Sequence, residues 1–174
     1  MNNKGNIILT GFMGTGKSSV GQKVAQRLNK RFVDTDVVIA TETGKTIAAI
    51  FAEQGEAHFR ALERAAIARV SEAQDIVVAT GGGAMVNEDN ARRLKESGMV
   101  ICLTAAPDVI WARVQNNADR PLLQGENPLD KIRLLLASRA EAYAKADLTI
   151  DTSTLSIDEV VETICSQVKT SEKP

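Results

Sequence analysis

Short apolar runs alternate with longer amphipathic segments along the whole chain. Five runs predict buried strands because they are short and nearly continuous in apolar residues: 6–10, 32–34, 76–80, 100–104 and 148–151. The intervening segments carry apolar residues at helical spacing and predict helices over 18–29, 46–73, 88–97, 107–116, 128–145 and 156–168. Strands that alternate with helices indicate a central five-stranded parallel sheet with helices on both faces, a three-layer α/β sandwich.

The length and the charge of the chain narrow the possible functions. Its 174 residues suffice for one hydrophobic core, and no repeat divides them, so we expect a single domain over residues 1–174. The net charge of −1 and the 3% content of aromatic residues argue against a nucleic-acid partner.

The sequence also predicts a cytoplasmic protein with no membrane partner. No apolar run approaches the roughly 18 residues that span a bilayer, and the first six residues are polar, unlike a signal peptide. Cys102 and Cys165 lie far apart and within apolar patterns, which indicates two reduced core thiols rather than a disulfide framework.

The stretch 116–127 has no regular period and contains Arg120, Pro121 and Gly125. A loop of about 12 residues in a compact domain is usually functional and often forms a lid. A plain surface connection would show the same pattern, so the role of this loop depends on Arg120.

A glycine-rich loop follows the first predicted strand and precedes a helix. Residues 11–18 read GFMGTGKS, which matches the phosphate-binding pattern G-x-x-x-x-G-K-S/T in the expected context. Converging backbone N–H groups and the positive end of the helix dipole form an anion site in such a loop. We therefore expect Lys17 to reach the β- and γ-phosphates of a nucleotide and Ser18 to bind Mg²⁺. The spacing does not fit the G-x-G-x-x-G loop of dinucleotide-binding folds.

Two acids follow the second predicted strand. The third strand ends in Thr80 and three glycines, so the metal-orienting acid of such enzymes is not found there. Because residues i and i+2 of an extended segment point the same way, Asp34 and Asp36 are expected to face the phosphate site together. A helix cap or a solvated turn is the alternative for this pair, and a simple tight turn is the alternative for the glycines.

With these motifs in order, the chain resembles the shikimate kinase family. The resemblance rests on Asp34-Thr35-Asp36, on IFAEQGEAHFRALE at 50–63, on TGGG at 80–83, on RPLL at 120–123, and on Arg139 followed by Tyr143. The resemblance extends over nearly the whole chain. The chain departs from the family at Glu141, where proline is usual, and at Ser156, where many members carry an arginine near the adenine.

The resemblance implies a P-loop kinase fold with a lid and a substrate-binding helical segment over about 35–62. It implies that the triphosphate is held by Gly14, Thr15, Gly16, Lys17, Ser18, Ser19 and Arg120. Shikimate would be bound by Asp36, Arg60, Gly82 and Arg139, and Mg²⁺ would be held by Ser18 and, through water, by Asp34. Lys17, Asp36 and Arg120 would be the catalytic residues. Arg113 could approach the base or be solvated, and it stays outside this predicted site.

The implied reaction is transfer of the γ-phosphoryl group of Mg-ATP to the 3-hydroxyl of shikimate, by an enzyme that acts as a monomer. The alternatives are another small P-loop kinase, acting on a sugar acid or a nucleoside monophosphate, and a non-catalytic nucleotide-binding paralogue. An inactive paralogue would be expected to have lost Lys17, an acid or Arg120, and all of them are present.

Overall fold

The computed structural model describes residues 5–117, 121–123 and 125–171. Within these residues the chain forms five strands: β1 (Asn6–Gly11), β2 (Arg31–Asp34), β3 (Ile76–Ala79), β4 (Gly98–Thr104) and β5 (Leu148–Asp151). The helices are α1 (Lys17–Arg27), α2 (Thr35–Thr43), α3 (Ile47–Val70), α4 (Glu88–Ser97), α5 (Pro107–Val114), α6 (Pro128–Tyr143) and α7 (Ile157–Ser171). Short 3-10 turns occupy Ala84–Val86 and Pro121–Leu123.

The five strands form one parallel sheet in the order β2-β3-β1-β4-β5. The chain passes from β1 to the edge strand β2, returns to β3 beside β1, and then crosses to β4 on the other side of β1. Ligands of open α/β sheets bind beyond the carboxyl ends of the strands where the order reverses in this way. The residues that follow β1, β2 and β3 therefore meet at the carboxyl-terminal end of the sheet.

Both faces of the sheet are covered, because successive side chains of a strand point to opposite sides. Ile7 and Leu9 of β1 pack in a cluster with α1 and α7. Ile8, between them, packs in a second cluster with residues of α3, α4 and α6. The predicted three-layer sandwich with a five-stranded parallel sheet is confirmed.

The helices differ from the prediction in two places. Thr35–Thr43 forms a helix that the apolar pattern did not indicate. The predicted helix 46–73 forms as α3, but Gly55 interrupts it with φ 81° and ψ 170°, a conformation that favours glycine. This break changes the course of α3 before Phe59 and Arg60.

The two departures from the family pattern are accommodated locally. Glu141 lies within α6, which continues without interruption to Tyr143. The Ser156 hydroxyl accepts from the Glu159 backbone N–H, and the Ser156 backbone N–H donates to the Glu159 carboxylate, which is a capping box at the start of α7. Cys102 and Cys165 are buried and free. Within the described ranges, none of the helices has both the length and the apolar character needed to cross a membrane.

Candidate active site

The loop between β1 and α1 forms a cavity of about 240 Å³ at the carboxyl-terminal end of the sheet. Gly16 precedes α1 in a left-handed conformation, with φ 93° and ψ 13°, which glycine adopts without strain. The hydroxyl of Thr15 and the Nζ of Lys17 both donate to the Phe12 carbonyl, at 2.7 and 2.8 Å. The cavity is lined by the predicted phosphate-binding residues Gly14, Gly16, Lys17, Ser18 and Ser19. A helix N-terminus with a nearby lysine is suited to phosphate.

Ser18 and Asp34 meet at one side of this cavity. The Ser18 hydroxyl donates to Asp34 Oδ2 at 2.6 Å. Among the described residues no group of three His, Cys, Asp or Glu side chains could hold a metal by itself. Two protein oxygens beside a phosphate site nevertheless fit Mg²⁺, which keeps several waters and takes its remaining ligands from substrate phosphates.

The expectation that Asp34 and Asp36 share an extended segment is wrong. β2 ends at Asp34 and α2 begins at Thr35, so Asp36 lies in the first turn of a helix. Asp34 caps that helix, since its Oδ1 accepts from the Asp36 backbone N–H at 3.0 Å. Both acids still line the cavity of the phosphate loop. Asp34 therefore has the capping role that was the alternative for this pair, and both acids nevertheless lie at the candidate phosphate-binding site.

A second cavity of about 400 Å³ adjoins the first. Its apolar wall includes Ile47, Phe51 and Phe59 of α3, and its polar groups come from α2, α3, α6 and the glycine triplet. The two cavities share the lining residues Met13, Asp34, Asp36, Gly81 and Gly82. A phosphate in one cavity and a small polar ligand in the other would thus be in contact near Asp36.

Arg60 enters the second cavity from α3 and is held by two acids. Its Nη1 donates to Glu63 Oε2 at 2.9 Å, and its Nη2 donates to Glu56 Oε1 at 3.0 Å. Burial raises the pKa of Glu63, whose side chain is only 1% exposed, and the charge of Arg60 opposes this shift. Burial alone would lower the pKa of Arg60, but Glu63 and Glu56 hold it above its ordinary value. The guanidinium is therefore fixed as a cation, and each terminal nitrogen has a second N–H to offer a ligand.

Arg139 enters the same cavity from α6 and is 5% exposed. Its guanidinium lies 5.4 Å from the centre of the Phe12 ring. Its Nη1 is buried and has no hydrogen-bond partner within the part of the chain that the structure describes. A buried cationic donor in this state is costly unless a ligand pairs with it. Two guanidinium groups in one cavity are chemically suited to a carboxylate.

The glycine triplet brings the backbone close to the charged side chains of the site. A Cβ at Gly81 would lie 2.5 Å from Glu63 Oε1, and one at Gly83 would lie 2.7 Å from Arg60 Nη2. A Cβ at Gly82 would lie 3.3 Å from Arg139 Nη1. Glu63 and Arg60 thus occupy the space that a Cβ would need at Gly81 and Gly83, and a Cβ at Gly82 would be tight against Arg139, so the triplet is more than a tight turn.

The predicted lid is described only in part. Arg120 lies outside the described residues, so its predicted role stays a prediction. Asn117 and Leu122, from either side of it in the sequence, line the second cavity.

Sequence reasoning left Glu63 and Arg113 out of the site. Glu63 follows Arg60 at i+3, a spacing that signals an ion pair on a helix. For Arg113 the sequence leaves two alternatives, approach to the base or solvation. In the structure it donates to the Gly14 carbonyl at 3.1 Å and to the Thr152 carbonyl at 2.7 Å. It therefore ties the phosphate loop to the segment after β5.

Comparison with known proteins gives one family. The shikimate kinase family model matches residues 13–169. A shikimate kinase from Thermoanaerobacter pseudethanolicus is 46% identical over 159 residues, which cover 91% of this chain and 93% of that protein. Another, from Thermodesulfovibrio yellowstonii, is 46% identical over 93% of this chain and 94% of its own.

Solved structures give the same result. The shikimate kinase of Acinetobacter baumannii in complex with shikimate superposes with a TM-score of 0.93 at 35% identity, covering 97% of this chain and 95% of that one. The family model, the relatives and the fold agree, and the chain belongs to the shikimate kinase family.

Proposed function

We propose that this protein transfers the γ-phosphoryl group of Mg-ATP to the 3-hydroxyl of shikimate, giving shikimate 3-phosphate and ADP. One observation carries the proposal beyond family membership: the phosphate-loop cavity and the cavity with two arginines share Asp36, Gly81 and Gly82. Phosphoryl transfer requires donor and acceptor oxygens to be held in line and close together. Adjoining cavities that share a wall meet this requirement without a large movement of the sheet.

On the donor side, the triphosphate is bound by the loop and the first turn of α1, through Gly14, Thr15, Gly16, Lys17, Ser18 and Ser19. Lys17 leaves the Phe12 carbonyl, which it contacts in the structure, and donates to the β- and γ-phosphates. This exchange is favourable because a charge-assisted bond to phosphate is stronger than a bond to a neutral carbonyl.

Ser18 and, through water, Asp34 would hold Mg²⁺, which when bound would supply positive charge to the phosphate oxygens. The 2.6 Å contact between the Ser18 hydroxyl and the Asp34 carboxylate supports this role, since both oxygens already face one point.

On the acceptor side, Arg60 and Arg139 bind the carboxylate of shikimate, and Asp36 accepts hydrogen bonds from its hydroxyls. The ring lies against the apolar wall that includes Phe51 and Phe59. Gly82 leaves room for the ligand beside Arg139. Asp36 is the candidate base, although positioning and charge neutralisation account for most of the rate in such a reaction.

Arg120 closes from the lid onto the transferring phosphate and helps to exclude water. We also propose that the enzyme acts as a monomer in the cytoplasm.

A coupled assay of ADP release tests the proposal. Shikimate, gluconate and several nucleoside monophosphates are compared as acceptors at saturating Mg-ATP, and the product is identified by ³¹P NMR. Of the acceptors compared, we expect only shikimate to be phosphorylated, and its product to be a single phosphomonoester at the 3-hydroxyl. The Lys17→Ala variant, prepared in the same way, measures any contaminating ATPase. Faster ADP release with gluconate or a nucleotide than with shikimate, or none with any acceptor, would refute the proposal.

A further inference from the structure

The only tyrosine of the chain, Tyr143, points its hydroxyl at the glycine triplet. It is the last residue of α6 and is 7% exposed. Its ring belongs to a packed cluster with Phe12, Cys102 and Ile132, which fixes its direction. The hydroxyl donates to the Gly82 carbonyl at 2.6 Å, across 61 positions of sequence. This bond connects α6 directly to the segment that separates the two cavities.

Gly82 is the point where three parts of the site meet. A Cβ there would lie 3.3 Å from Arg139 Nη1, 3.4 Å from the Gly11 carbonyl oxygen and 3.5 Å from the Met13 backbone nitrogen. The peptide bond is planar and trans, so fixing the Gly82 carbonyl also fixes the direction of the N–H of Gly83. The hydrogen bond from Tyr143 therefore fixes the backbone of the triplet beside Arg139.

Tyr143 and Arg139 are also neighbours on one helix face, since they are four positions apart. Burial raises the pKa of Tyr143 to about 12, and the positive charge of Arg139 opposes the shift. The phenol thus stays protonated at neutral pH, and a protonated hydroxyl is what a bond to a carbonyl requires.

We propose that Tyr143 is a positioning residue for the acceptor, which acts by holding Gly82 and its surroundings in the geometry that binds the carboxylate-bearing substrate. This inference rests on the proposed function, because it assigns Tyr143 to the acceptor cavity of that reaction. Tyr143 acts through Gly82 and takes no part in the transfer itself.

The Tyr143→Phe variant removes the hydroxyl and keeps the ring in its cluster. We expect the shikimate KM to rise about ten-fold, equivalent to about 1.4 kcal/mol, with the ATP KM changed less than about two-fold. Ser97→Ala is the matched control, because the Ser97 hydroxyl is also buried and donates to a backbone carbonyl, that of Leu94, at 2.9 Å. It should lower thermal stability without moving either KM.

A rise in the shikimate KM without a rise in the ATP KM distinguishes a positioning role from a purely structural one. If Tyr143→Phe lowers the melting temperature as Ser97→Ala does but leaves the shikimate KM within two-fold of wild type, the proposal is overturned. An equal rise in both KM values also overturns it. Absence of shikimate turnover in the wild type would instead be a failure of the proposed function.

A measurement on the unmutated sequence keeps the test independent of folding. Because the chain has one tyrosine, growth with 3-fluorotyrosine labels position 143 alone. The ¹⁹F resonance should shift when shikimate binds in the absence of nucleotide. An unchanged resonance at a shikimate concentration that saturates binding by calorimetry would contradict the inference.

Discussion

Replacing Arg139 by lysine keeps the positive charge in the acceptor cavity but removes the planar fork that binds a carboxylate through two parallel hydrogen bonds. The position is suited to this test because Arg139 is 5% exposed and its Nη1 lacks a hydrogen-bond partner among the described residues. A ligand carboxylate would therefore supply a bond that the folded protein leaves unmade.

The size of the effect follows from that burial. A hydrogen bond to a charged group contributes about 1.5–3 kcal/mol, and the higher values belong to contacts removed from water. The lysine ammonium retains one of the two bonds, so the loss is about one charge-assisted hydrogen bond. We expect the shikimate KM to rise ten-fold or more, which corresponds to about 1.4 kcal/mol or above.

The coupled ADP-release assay measures this change at saturating ATP. Arg133→Lys is the matched control, because Arg133 lies on the same helix, is 58% exposed and pairs with Asp130 on the surface, at 3.0 Å. Its kinetic constants should equal those of the wild type. The ATP KM of Arg139→Lys should also change little.

A shikimate analogue without the carboxylate completes a double-mutant cycle. The wild type should use the analogue poorly, and Arg139→Lys should add little further loss. Equal damage to the use of shikimate and of the analogue would show that Arg139 does not bind the carboxylate, and the reasoning from its orphaned donor would be wrong.

Other variants test the remaining parts of the site. Lys17→Ala should leave the fold intact by circular dichroism and retain less than about a tenth of wild-type turnover, a barrier increase above about 1.4 kcal/mol. Asp34→Asn should raise the Mg²⁺ requirement whereas Asp36→Asn should mainly impair acceptor use, and identical metal titrations at saturating acceptor would contradict this division. Glu63→Gln releases one side of Arg60, so the shikimate KM should rise several-fold. Since Glu56 still pairs with Arg60 and burial of the Glu63 charge is costly, we expect a melting temperature within about 4 °C of wild type.

The strands and most helices could be predicted from the sequence because their apolar patterns are distinct. The apolar pattern did not predict helix α2, because TDVVIATET has no clear helical period and is rich in β-branched residues, which have low helix propensity. Its formation depends on the cap at Asp34 and on burial of Ile39 against α3. The break at Gly55 was missed because a single glycine inside a helical pattern does not by itself signal a change of direction.

The phosphate-binding half of the site could be predicted from the sequence, since residues 11–18 are contiguous and their pattern has a known physical basis. The acceptor half could not be derived in this way. Arg60 and Arg139 lie in different helices, and only the resemblance brought them together. The ion pair between Glu63 and Arg60 follows a local i+3 spacing, but the bond from Tyr143 to Gly82 depends on how α6 packs against the glycine triplet, which no local pattern encodes.

The glycine triplet also bears on how the enzyme could change during evolution. Gly81 faces Glu63 and Asp36, Gly82 faces Arg139, and Gly83 faces Arg60, so each glycine is constrained by different neighbours. A saturation library across the three codons should therefore give three separate tolerance profiles rather than one. A second-site suppressor of an alanine at position 83 should map to the neighbourhood of Arg60, and one for position 82 to that of Arg139.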